Sequence, residues 1–282
     1  MPQHFAAPPQ WEWYIVWYFF LGGISGGVYV LGTLLRLFGS RTDAPMARLA
    51  FLVSLPALVL CPVFLTLDLG HPLRFWHMLI DARTMSPSLK YWSPMSVGAW
   101  VLLIFGVFSL VSFLEALGSR AFLSGPLGRL FVAVGAFFGL FLAGYTGILL
   151  SVSNQPIWSD TWALGGLFLA SGLSVAAATL ALAARAADSG ASSEAKLARA
   201  DFFFTLLELV LLVAFFMTLG AMASRLLAPR LVGWWVLVGL SILAPLAVRL
   251  SRSRGIAGVV IPALVLIGGL ALRVVVIFGA QA

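Results

Sequence analysis

Eight long apolar stretches joined by seven short connections take up most of this chain, and no water-soluble core could hide that much apolar surface. They run over residues 14–37, 46–69, 94–117, 128–152, 162–184, 202–222, 231–248 and 256–278. Each is long enough to cross about 30 Å of hydrocarbon at roughly 1.5 Å per residue. A helix pairs its own backbone N–H and C=O groups, which lipid cannot do, and the runs are too long and too uniformly apolar for the alternating strands of a barrel. With 61% hydrophobic and 10% charged residues, the composition leads to the same fold class: an all-α integral membrane protein with eight transmembrane helices.

The basic residues set the expected orientation. The odd-numbered connections and their adjoining helix ends hold Arg36, Arg41, Arg48, Arg120, Arg129, Arg185, Lys196, Arg199, Arg249, Arg252 and Arg254, which is 11 of the 17 Lys and Arg residues. The even-numbered connections hold Arg74, Arg83, Lys90, Arg225 and Arg230, and the two ends of the chain hold none. By the positive-inside rule both termini face outward, toward the periplasm if the membrane is a bacterial inner membrane. The net charge of +7 therefore reports topology, and nucleic acid is not an expected partner. The first apolar run has no basic residue before it and is long enough to span, so it reads as a retained helix, not a signal peptide.

All ten Trp residues fall on or near the outer face in this reading: Trp11, Trp13, Trp17, Trp76, Trp92, Trp100, Trp158, Trp162, Trp234 and Trp235. Interfacial anchoring accounts for single residues, whereas the one-sidedness points to a surface for docking or for an aromatic ligand. The histidines His4, His71 and His77 lie on that side too, and no span contains one. Haem held between facing helices needs axial ligands there, so a cytochrome b is disfavoured, and the lone Cys61 excludes a four-thiolate cluster. His71 and His77 with Asp68 or Asp81 offer metal ligands, but loop histidines at an interface are far more often plain interfacial residues, and no metal is expected.

Ionisable groups inside the spans are few. A carboxylate at the bilayer centre costs on the order of 3 kcal/mol. Glu208 is the deepest, either a packing residue or a proton relay opening to the inner face, and Glu115 sits where snorkelling at the inner end of the third helix also accounts for it. Asp68 closes the second helix at the outer side, Tyr145 lies among small residues in the fourth, and Arg273 lies in the outer third of the eighth, with Asp68 as the expected partner. The first helix carries Gly22, Gly23, Ser25, Gly26 and Gly27, the fifth Gly165, Gly166, Ser171 and Gly172, so a parallel duplication of two halves is consistent with the pattern. The glycines serve either tight helix packing or the approach of a flat ligand.

The run from Tyr18 to Gly27, the segment Asp68-Leu69-Gly70-His71-Pro72-Leu73-Arg74-Phe75-Trp76, the Gly144-Tyr145-Thr146-Gly147 motif and Arg273 together resemble the NrfD family of polysulfide-reductase-type membrane subunits. The resemblance covers essentially the whole chain. It implies two four-helix bundles, here 14–152 and 153–282 behind an outer leader of residues 1–13. It also implies a quinone site near the periplasmic face, with menaquinone or ubiquinone as the cofactor, and no haem or iron–sulfur cluster in this chain. The partners it implies are a ferredoxin-like iron–sulfur subunit and, beyond it, a molybdopterin subunit. Tyr145 matches the family's tyrosine near the quinone, and Ser25 is the nearest equivalent of the polar first-helix residues that some members place beside the headgroup. In this expectation Tyr145 hydrogen-bonds a carbonyl, His71 and Asp68 exchange protons, Trp76 and Arg273 complete the site, and Glu208 and Glu115 mark a proton pathway. A secondary transporter, for which Pro56 and Pro62 in the second helix are the one hint, and a purely structural anchor are the other classes.

Overall fold

The computed structural model describes residues 10–118, 123–186, 191–251 and 257–281. His4, Arg120, Arg252 and Arg254 lie outside them. Among the described residues the structure is helical, with an isolated bridge between Ile80 and Pro87 and no strand. The helices are α1 (Trp13–Phe38), α2 (Ala44–Asp68), α3 (Pro94–Leu117), α4 (Gly125–Ser151), α5 (Leu164–Ala186), α6 (Ala191–Leu219), the single turn α7 (Ala223–Leu226), α8 (Val232–Ser251) and α9 (Ala257–Ala280). Eight of these helical stretches are long and apolar enough to cross a membrane, which makes this a multi-pass membrane protein.

Helix ends follow local chemistry. Ser93 caps α3, its side chain accepting from the Ser96 N–H, and Pro94 fills the first position, where no N–H is needed. Helix α2 runs unbroken through Pro56 and Pro62. The largest departure from the hydropathy reading is α6, which starts at Ala191 and not near residue 202. Hydropathy marks the lipid-crossing part of a helix. The Ala-, Glu- and Lys-containing segment before it continues the same helix on propensity alone.

Both described ends of the chain meet: the Trp11 N–H donates to Gln281 Oε1 at 2.7 Å, and Gln281 Nε2 donates to Trp11 O at 3.3 Å. This end of the molecule is the terminal face. Helix α1 is the central element, with 89% of its apolar stretch buried against 22% for α6. It packs on α2, α4, α5 and α9. Side chains are absent where the backbones come closest: a Cβ at Gly26 would overlap the Gly139 carbonyl of α4, and Gly27 lies against Gly172 and Ala176 of α5. Tight packing is thus what the glycines of α1 provide. Around α1, α2 packs on α3 and α3 on α4, while α5 packs on α6 and α9 and α8 bridges α6 and α9.

At the opposite face the two halves of the chain are tied by Asp43. Its buried carboxylate accepts from Ser193 Oγ at 2.8 Å and from the Ser40 N–H at 2.7 Å, and it pairs with Lys196 of α6. Asp43→Ala leaves Ser193 and the capping turn without their acceptor. It is expected to cost about 1–3 kcal/mol, read as a lower thermal midpoint in detergent; an unchanged midpoint means that the contact is dispensable.

The tryptophan belt is partly structural. Trp158 is fully buried, donates from Nε1 to Val276 O at 2.7 Å and stacks on Trp11 at 4.9 Å, so it is a core residue and neither an anchor nor a docking surface. Trp235 and Trp100 likewise spend their indole N–H groups on Leu226 O and Ser88 O, tying helices to the connections beside them.

Candidate functional site

A cleft of about 630 Å³ lies among α1, α2, α3 and α4 at the terminal face. Ile15, Tyr18 and Phe19 of α1 form one wall, Leu58, Pro62 and Leu65 of α2 a second, and Met95, Gly98 and Leu102 of α3 a third. Phe75, Met78 and Leu79, from the 3-10 helix Pro72–Met78 and the residue after it, cover the end nearest the terminal face. Val59, Leu103, Val107 and Leu110 also line it, and all four are exposed on the outside of the helices, so the cleft opens sideways between α2 and α3. A site walled by apolar side chains and open toward the lipid suits a flat, lipid-soluble ligand with a long tail.

Four side chains in this apolar lining carry oxygen, Tyr18, Thr66, Asp68 and Tyr145. Tyr145 is buried on α4, its ring stacked on Phe141 at 5.9 Å and 16° and its hydroxyl donating to Pro94 O at 2.5 Å. A phenol has one donor and two lone pairs; with the donor held by α3, the oxygen presents acceptor capacity toward the cleft. Gly98 makes this placement possible, because a Cβ there would overlap the Tyr145 Cζ and Oη atoms.

Asp68 is the last residue of α2. The motif after it is built for a reversal: Gly70 has φ of 60°, a left-handed conformation that favours glycine, and Pro72 starts the 3-10 helix. Asp68 lies in the cleft lining and faces the backbone N–H and the carboxylate of Glu12, the residue before α1.

A family model described as "Polysulphide reductase, NrfD" matches residues 2–282. The chain belongs to the NrfD family. Among curated relatives it is 28% identical over 309 residues to "Protein NrfD" of Escherichia coli (strain K12), a match covering 96% of this chain and 95% of that one. It is 26% identical over 180 residues to a polysulfide reductase chain of Wolinella succinogenes, covering 58% of this chain and 55% of that one. With a selenate reductase subunit of Mesobacillus selenatarsenatis it shares 29% identity over 102 residues, 36% of this chain and 22% of that one.

In this NrfD-family structure the residues singled out from sequence divide into two groups. Tyr145 and Asp68 line the cleft. The others do not. His71 is an exposed residue at the start of the 3-10 helix, and Trp76 lies edge-on to His77 at 4.0 Å. Ser25 is buried in the α1–α2 seam, donating to Ser54 O at 2.8 Å. Glu115 forms a bidentate pair with Arg36, at 2.5 and 3.0 Å, and accepts from the Leu123 N–H at 3.0 Å. Asp81 closes its own loop by accepting from the Arg83 and Thr84 N–H groups, which hold it below the usual carboxylate range. Among the described residues no three His, Cys, Asp or Glu side chains converge as a metal centre.

Arg273 needs correction most. It does not pair with Asp68. It is fully buried, donates from Nη1 to Gly269 O at 2.6 Å and to Ser171 Oγ at 3.2 Å, and holds its guanidinium 5.2 Å from the Phe168 ring and 5.7 Å from the Phe20 ring. The carboxylate it faces is Glu208, across the same Ser171 hydroxyl. A sixth helix that starts near residue 202 puts Glu208 and Arg273 near opposite faces; with α6 begun at Ala191 they share one buried polar cluster. Asp201, which hydrogen-bonds Ser174 at 2.8 Å, was passed over for the same reason, one residue before the assumed helix start. Gly98 and Glu12 carried no signal in the sequence, since only folding brings them to Tyr145 and Asp68.

Proposed function

We propose that this protein is the quinone- or quinol-binding membrane subunit of a multisubunit respiratory oxidoreductase, exchanging electrons between the membrane quinone pool and an iron–sulfur partner docked on the terminal face. The observation that carries the reading is the lipid-open apolar cleft that has Tyr145 and Asp68 in its lining. Two relatives are named as single components of reductases, one for polysulfide and one for selenate, which supports a membrane subunit that works with catalytic partners. A bound quinone supplies the two-electron, two-proton chemistry.

The fit rests on donor chemistry. The Tyr145 oxygen, with its proton held by Pro94, accepts a hydrogen bond from a ligand hydroxyl and so orients the reduced ring; turning the hydroxyl away from Pro94 lets it donate to a carbonyl. Asp68 holds or releases a proton where the cleft meets the terminal face. Trp11, Tyr18 and Phe19 exclude water from the α1 wall. Electrons enter or leave through the partner. The surface offered to it includes Leu73 at 90%, Tyr91 at 80% and Trp92 at 69% exposure, all in the connection that roofs the cleft, a patch that suits protein contact. In this reading the terminal face is periplasmic, the membrane is a bacterial inner membrane, and the partner is linked in turn to a molybdopterin subunit.

Tyr145→Phe tests the site. Loss of the hydroxyl is expected to reduce quinol-linked turnover by about ten- to hundredfold with assembly intact, as measured on the complex with a titrated quinol. Unchanged turnover shows that Tyr145 does not act on the quinone and removes the support that it gives to a site in this cleft. Helix α2, continuous through both of its prolines, offers no midplane break of the kind a transporter site uses.

A further inference from the structure

A second cavity, of about 240 Å³, lies at the face opposite the termini, between the ends of α5, α6, α8 and α9. Arg185 and Glu194, an ion pair at 3.6 Å, stand on its wall with Asp201. From Asp201 a file of polar side chains leads into the membrane interior. Asp201 accepts from Ser174 Oγ at 2.8 Å, and Ser174 Oγ lies 3.3 Å from Thr205 Oγ1. Thr205 and Glu208 follow Asp201 at the fourth and seventh positions along one face of α6. Ser171, one turn from Ser174 on α5, stands between Glu208 and Arg273. Ser171, Ser174, Thr205, Glu208 and Arg273 are all buried, in helices that otherwise face one another with apolar side chains.

This arrangement is costly unless it is used. A salt bridge or packing contact requires two groups, whereas here two carboxylates, three hydroxyls and a guanidinium from α5, α6 and α9 are gathered in one file, in which Asp201 to Glu208 alone covers about 10 Å along α6. The Nε and Nη2 atoms of Arg273 are buried and meet no acceptor in the protein, and buried donors in such positions are satisfied by internal water. The inner end of the file touches α1: Nη2 of Arg273 lies 3.0 Å from where a Cβ of Gly23 would stand. Phe19, one turn earlier on α1 and about 6 Å away along its axis, is a wall of the quinone cleft. Phe19 meets Phe168 edge to face at 6.1 Å, so an aromatic layer of Phe19, Phe20 and Phe168 separates the file from the cleft.

We propose that Asp201, Ser174, Thr205, Glu208, Ser171 and Arg273 form a proton-conducting half-channel from the face opposite the termini to the α1 wall of the cleft. The carboxylates take up and release protons, the hydroxyls and internal water relay them, and the Arg273 charge keeps the inner end of the file hydrated. Phe19, Phe20 and Phe168 close it between turnovers. Oxidation of a quinol in the cleft breaks two O–H bonds, passes two electrons to the one-electron carriers of the partner and yields two protons; reduction takes up the same two. The half-channel connects that exchange to the side of the membrane away from the electron carrier, so turnover moves charge. The proposal rests on the cleft being the quinone site.

The test uses the complex purified with its partner subunits and sealed into vesicles, with a pH indicator on a known side. Wild type, Asp201→Asn, Glu208→Gln and Glu208→Asp are compared, and binding of a short-chain naphthoquinone is titrated on the same samples. Quinone-linked proton exchange is expected at the face opposite the termini, falling by at least about tenfold in Asp201→Asn and Glu208→Gln, with naphthoquinone affinity kept and Glu208→Asp recovering most of the flux. A cysteine placed at Ala181, on the cavity wall, is expected to react with a membrane-impermeant maleimide from that face alone. Should Glu208→Gln fail to assemble, Asp201→Asn decides. Unchanged proton exchange in Asp201→Asn, or exchange at the terminal face alone in the wild type, overturns the half-channel while leaving the quinone site standing. Failure of the wild type to bind naphthoquinone removes the quinone site, and the half-channel with it.

Discussion

Gly98→Val is expected to lower quinone-linked turnover by about a hundredfold while the helices still assemble. The cause is steric and second-hand. Any Cβ at residue 98 overlaps the Tyr145 ring, so the ring must leave its stack on Phe141 and its hydroxyl must leave Pro94 O. The hydroxyl is one of the few polar groups in the cleft lining, and displacing a group that orients a reacting ring by about 1 Å is enough to cost two orders of magnitude. The control is Gly239→Ala on α8, where an added Cβ meets nothing within 4 Å. Turnover with a titrated quinol and thermal unfolding of both variants check the claim. A Gly98→Val protein that folds and turns over normally shows that Tyr145 does not act in this site.

Glu208→Leu is expected to be the most destabilising single change in the second half of the protein, and Glu208→Leu with Arg273→Leu is expected to recover most of the loss. Arg273 cannot shed its proton, is fully buried, and already leaves two donors without a protein acceptor. Removing the facing carboxylate strands that cation, at a cost of about 3–5 kcal/mol, whereas replacing both members by apolar residues removes the buried charge altogether. Thermal midpoints of the singles and the double in one detergent give the coupling directly. Additive losses in the double sink the idea that these two groups stabilise each other. The recovered double should fold and bind quinone yet fail to move protons, which separates the stability of the cluster from its use.

The number of spans was legible because lipid imposes a length and an apolarity that any polypeptide crossing it must show. The Asp68-Leu69-Gly70-His71-Pro72 segment was legible because a left-handed glycine and a proline that starts a turn leave a local signature. Tyr145 stood out through its small-residue motif and the family resemblance, and Asp68 through the segment that it opens; folding brings both to one cleft. His71 and Trp76 follow Asp68 in one segment and Ser25 lies in the glycine-rich run of α1, yet none of the three lines the cleft, since neighbours in sequence on a helix or turn face different directions.

What the sequence alone determined is therefore the class of molecule and its inventory: eight apolar helices, both described ends of the chain on one side, and a short list of residues too polar for their surroundings. Each of these follows from one-dimensional rules, hydrocarbon thickness, charge asymmetry and the cost of burying a polar group. Which of those residues meet was decided by tertiary structure alone. Arg273 faces Glu208 and not Asp68, because α5 and α9 close around Ser171 while Gly23 lets the guanidinium rest on α1. Gly98 gives Tyr145 its place. Such pairings depend on helix rotation and on contacts between residues far apart in sequence, Gly23 and Arg273 among them, and a pattern read along one helix holds no record of which face the next helix turns toward it.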